Sequence, residues 1–141
     1  MTTAPLRVAL YSHDAKGLGH LRRNLALAHH LARALPGLTG RNVTGLVITG
    51  LAPGQEHRLP DGFDWLVLPG VKKAKGVYLP QRLRITREDL SLIRGALLSG
   101  VLSAFALICP TSSIDVVITD DGAPADQVEA LRRAGVEVRL V

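Results

Sequence analysis

Between Leu6 and Leu35 the chain changes hydrophobic period once, and that change leaves few folds open. Leu6-Arg7-Val8-Ala9-Leu10-Tyr11-Ser12 is a short apolar run of the kind that forms a strand. After a loop at 13–19 the period turns helical. Leu21, Leu25, Ala28, Leu31, Ala32 and Leu35 fall on one stripe, with Arg22, His29 and Arg33 off it. Pro36-Gly37 is the expected stop. The alternation then returns. Strands are expected at 44–49, 64–68, 114–119 and 136–141, and helices from Thr86 towards Ile108 and from Pro124 to Ala134. Thr86 followed by Asp89 is close to a capping box, and Gly135 is a helix stop. Strand and helix in alternation imply an α/β fold, a Rossmann-like three-layer domain with a mostly parallel sheet. The connection from Gly50 to Phe63 lacks a helix, and Val71–Ile85 reads as an exposed basic loop.

The chain has 141 residues, which suits one domain with a core of its own. At 47% hydrophobic and 21% charged it is neither a disordered tail nor a coiled coil. A single cysteine, Cys109, excludes a disulfide framework and a cysteine-based zinc site. His13, His20, His29, His30 and His57 have no metal-ligand spacing and read as surface histidines; no metal and no cofactor are expected. The start, Met1-Thr2-Thr3-Ala4-Pro5, lacks the pattern of a signal peptide, so the expected compartment is the cytoplasm. Gly95–Cys109 is uncharged but too short for a membrane span, and is expected to be a helix buried on the sheet.

Charge divides the chain. Up to Cys109 there are 14 Lys/Arg against 6 Asp/Glu, a net of +8; from Pro110 onward there are 3 against 6, a net of −3. The basic part would favour phosphate-bearing partners, or simply form a solvated face.

The segment richest in chemistry is Tyr11-Ser12-His13-Asp14-Ala15-Lys16-Gly17-Leu18-Gly19-His20-Leu21-Arg22-Arg23-Asn24. Two glycines at a strand-to-helix turn let a ligand approach the backbone, and the free N–H groups of the helix start suit an anion. Arg22 occupies the place of the third glycine of a dinucleotide fingerprint, so that motif is absent. A purely structural turn accounts for the same spacing.

This opening, with Leu46-Val47-Ile48-Thr49-Gly50, Leu59-Pro60-Asp61-Gly62-Phe63-Asp64, Leu66-Val67-Leu68-Pro69 and Arg82-Leu83, resembles a bacterial family of predicted glycosyltransferases. That family is related to the enzyme that adds N-acetylglucosamine to the lipid-linked peptidoglycan precursor. The resemblance covers about residues 6–105. It implies a GT-B architecture in which residues 1–109 are the acceptor-side part. Gly17, Gly19, Arg22 and Arg23 would then bind substrate, with His20 as the catalytic base for an acceptor hydroxyl; imidazole is suited to proton transfer near neutral pH. The donor domain of such an enzyme has no room in this length. The expectation is a part inactive alone and completed by a separate donor-domain chain.

The tail resembles something else. Pro110-Thr111-Ser112-Ser113-Ile114-Asp115-Val116-Val117-Ile118-Thr119-Asp120-Asp121-Gly122-Ala123 and the following Val128–Val138 are similar to the end of DeoR-type sugar-metabolism repressors. The resemblance implies that 110–141 derives from a sugar-phosphate sensor, packed into the same domain, with Thr119, Asp120 and Asp121 at its pocket. The residues alone allow a strand end followed by a capped helix, Asp120 and Asp121 serving the turn. The alternative function is thus a sensor remnant that binds a sugar phosphate and lacks a DNA-binding domain.

Lys72, Lys73, Lys75, Tyr78, Arg82, Arg84 and Arg87 make a basic strip suited to peripheral contact with an anionic inner membrane face. Nucleic acid is not expected, because aromatic residues are only 4% of the chain and no recognition motif is present.

Overall fold

The computed structural model describes residues 4–12, 18–107, 114–119 and 121–141. The chain order is β1 (Leu6–Ser12), α1 (Gly19–Thr39), β2 (Val43–Thr49), β3 (Phe63–Val67), β4 (Val71–Ala74), β5 (Val77–Pro80), α2 (Arg87–Leu107), β6 (Ile114–Thr119), α3 (Ala125–Arg133) and β7 (Glu137–Leu140). Five strands form one sheet in the order β3-β2-β1-β6-β7, every pair parallel. The α/β expectation therefore holds.

Both faces of the sheet are covered, which is why its central strands are apolar at nearly every position. On one face α1 sets Ala28 against Leu10 and Val47, with Leu27, Leu31, Phe63 and Trp65 packed around them. On the other, Leu98 and Leu102 of α2 and Val128 of α3 meet Ala9, Tyr11, Ile48 and Val117. Successive residues of β1 thus feed opposite layers. The strand at 114–119 is an interior strand, held by β1 on one side and β7 on the other.

Three local expectations are corrected. The first helix does not stop at Leu35. It runs through Pro36 to Thr39 and ends at Gly40, whose φ of 68° lets its N–H reach the Pro36 carbonyl at 2.9 Å. A proline in the last turn removes one ladder bond and leaves the rest of the helix intact. Residues 71–85 are not one irregular loop, because β4 and β5 form an antiparallel hairpin with Lys72 opposite Leu79 and Lys73 opposite Tyr78. Its turn places Lys75 at φ 48° and Gly76 at φ 79°, the paired positive values that match hairpin twist. His57 is not at the surface: it is 8% exposed, and its Nδ1 accepts the Gly54 N–H at 3.2 Å.

Other signals hold as read. Thr86 Oγ1 accepts the Asp89 N–H at 3.0 Å and its hydroxyl donates to Asp89 Oδ2 at 2.7 Å. No helix among the described residues is long and apolar enough to cross a membrane.

Candidate functional site at the carboxyl edge of the sheet

Parallel strands end together, so whatever closes one strand lies beside whatever closes its neighbour. Ser12, Thr49 and Thr119 end β1, β2 and β6, and all three are buried. The register pairs Ser12 with Thr49 and Tyr11 with Thr119. Between β1 and β6 the chain order reverses direction: β2 and β3 lie to one side, β6 and β7 to the other. In open α/β sheets this switch point is where the strand ends leave a crevice for ligands.

The helix after β1 begins at the same edge. Leu18 at its N-cap makes no side-chain capping bond, and its first turn carries no acidic residue. A helix start of this kind, without an acidic residue in its first turn, favours an anion near its leading N–H groups. His20 is half-buried, and its Nδ1 lies 3.3 Å from Arg23 Nη2. Arginine only donates, so Nδ1 is the acceptor and the proton of the neutral ring sits on Nε2. Arg23 Nη1 also donates to the Val141 carbonyl at 3.3 Å, and the Val141 N–H donates to the Thr119 carbonyl at 2.9 Å. The backbone beyond β7 therefore ties Arg23 of α1 to the end of β6.

Among the described residues, two buried polar atoms of α1 have no partner, Arg23 Nε and Asn24 Nδ2, nor has Thr119 Oγ1 of β6, whose side chain shares the α2 and α3 face of the sheet with Val117 and Tyr11. Asn24 and Thr119 are each only 2% exposed. A buried donor without an acceptor costs about 1–3 kcal/mol. Arg23 Nε and Asn24 Nδ2 both donate, and an oxyanion with several acceptor oxygens is the complementary group.

The residues expected from sequence fall as follows. His20, Arg23 and Thr119, read there as belonging to two alternative sites, lie along one edge. Arg22 points outward and is exposed, as is Asp121 in the turn after β6. Gly19 begins α1, and a side chain there would meet no protein atom within 4 Å. The fold itself does not demand glycine at that position. Gly17 and Asp120 lie outside the described residues. The sequence reading did not single out Ser12, Asn24 or Thr49. Asn24 was legible in principle, because it interrupts the apolar stripe one turn after His20 on the face that α1 turns to the sheet. Lys72, Lys73 and Lys75 are exposed on the hairpin, with Lys73 Nζ 5.6 Å from the Tyr78 ring centre. No group of three His, Cys, Asp or Glu side chains among the described residues is placed to hold a metal ion.

Fold and edge together define a three-layer α/β domain with buried polar residues at the strand ends of its switch point. No protein-family profile matches the chain. No solved structure matches it. A 39-residue stretch is 54% identical to a protein described as a putative aga operon transcriptional repressor, from Escherichia coli O157:H7. That stretch is 28% of this chain and 14% of the repressor. The similarity agrees with the repressor-like reading of the tail and extends to one segment only.

Proposed function

We propose that this chain is a ligand-sensing module that takes a small phosphorylated sugar at the carboxyl edge of β1 and β6. The observation that carries the reading is the pair of unpartnered buried donors on α1, Arg23 Nε and Asn24 Nδ2, with Arg23 tied through Val141 to the end of β6. A phosphoryl group supplies acceptor oxygens for both and a negative charge for the α1 dipole. The segment similar to a transcriptional repressor favours a regulatory role. The glycosyltransferase reading rests on the resemblance of its opening motifs alone.

The test is a thermal melt with hexose 6-phosphates, the free hexoses and uridine diphosphate sugars. At a hundred times its Kd a ligand adds about 2.7 kcal/mol, enough to move the midpoint by several degrees. A shift with the sugar phosphate, absent with the free hexose and lost in Arg23→Met, is expected. A shift confined to the nucleotide sugars would overturn the sensor reading in favour of the transferase one.

A further inference from the structure

The side of α2 that faces away from the sheet is apolar and, among the described residues, uncovered. Leu90, Arg94, Leu98 and Leu102, four residues apart, turn to the core. The other side carries Leu92, which is 72% exposed, with Ile93 and Leu97 at 39% and 42%. The exposed face continues through Ala96 and Gly100, and no charged residue lies between Gly95 and Ala104. A methyl group placed on Gly100 would meet no protein atom within 4 Å. The helix expected from sequence to be buried is therefore buried on one side only. A surface helix ordinarily turns charged residues to water, and one that is apolar on both sides calls for a second covering.

The leading end of this face meets a cluster of cations. The β4–β5 hairpin adjoins the first turns of α2. It carries Lys72, Lys73 and Lys75, and Arg82 and Arg84 flank the exposed Leu83 on the way to the helix. These five cations are exposed, and none forms an ion pair among the described residues. The acidic side chains at this end are Glu88, Asp89 and Asp126. Arg87 matches Glu88 at 3.4 Å, which leaves two carboxylates against the five cations.

We propose that α2 and the β4–β5 hairpin form a docking surface for an anionic lipid bilayer. Leu92, Ile93 and Leu97 enter the boundary between headgroups and acyl chains, and the cations meet the lipid phosphates. Charge selects this occupant. A second copy of the chain brings the same cations and no counter-charge, and a nucleic acid matches the cations but leaves the aliphatic side chains uncovered. The surface does not depend on the function proposed for the strand ends.

The test is co-sedimentation of the full chain with vesicles of phosphatidylcholine alone and of phosphatidylcholine with about a third phosphatidylglycerol. Binding to the anionic vesicles is expected, with little on the neutral ones and a loss of about tenfold on raising salt to about 0.5 M. Leu92→Glu should weaken binding about tenfold, with an unchanged thermal melt because the side chain is already in water. Lys72→Glu combined with Arg84→Glu should weaken it at least as much, and tests the cations without touching the helix. Four results would overturn the inference: no binding, equal binding to neutral vesicles, binding unaffected in either variant, or a dimer in gel filtration without lipid that Leu92→Glu separates.

Discussion

Thr119 has a hydroxyl that gives the folded chain nothing by itself. It is buried and unpartnered, so folding removes it from water without compensation. Thr119→Val keeps the shape and β-branching and removes the unmet group. The expected outcome is a midpoint in chemical denaturation unchanged or raised, by up to about 1 kcal/mol. A loss of stability on this substitution would mean the hydroxyl is satisfied. Gly62 shows the opposite case. Its φ is 87°, and a methyl group there would sit 2.5 Å from the Val43 carbonyl oxygen. Gly62→Ala is expected to cost roughly 2 kcal/mol or more, read by the same denaturation experiment. His20 and Arg23 drew notice because charged residues beside a glycine turn are conspicuous, and Thr119 because the tail resembles a repressor's end. Asn24 was hidden because one polar residue on a helical stripe looks like noise until its burial is known.

At the scale of elements, strands and helices were legible wherever hydrophobic period decided them. The misses came where a single bond or dihedral decided. Pro36 looked like a stop, yet a helix so close to its end tolerates one lost bond. Pro36→Ala should restore a donor for the Ala32 carbonyl and raise stability by about 1–2 kcal/mol, after allowing for the looser unfolded chain. Circular dichroism across the melt would follow it. The hairpin at 71–80 escaped notice because Lys75-Gly76 is an unusual turn pair, with lysine in a backbone region that it seldom occupies. Thr86 behaves as its spacing implies. Thr86→Ala should cost about 1 kcal/mol, and Thr86→Ser should recover most of it.

For the whole molecule, the charge break near Cys109 and the switch in resemblance suggested two pieces. In the fold the second piece supplies an interior strand of the sheet. Val117 is buried against the same cluster as Ala9 and Ile48. Unfolding is expected to be one cooperative event, with the amides of Val117 and Ile118 as protected from hydrogen exchange as those of Leu10 and Val47. Early exchange of 114–141 alone would show that the tail is a separate, weaker unit.

The position of β1 in the sheet also bears on how the chain is made. One side of β1 is completed by β2, which follows within about forty residues, but the other side waits for β6, which closes at Thr119. At about 5–20 residues per second, a ribosome takes several seconds to cover that interval. Throughout it the nascent protein carries an open β1 flank, the kind of edge that recruits strands from neighbouring chains. Translation that slows or aborts before β6 emerges would therefore prolong an aggregation-prone state. A faster passage through 50–119, or a chaperone engaged on that interval, would shorten the state's lifetime.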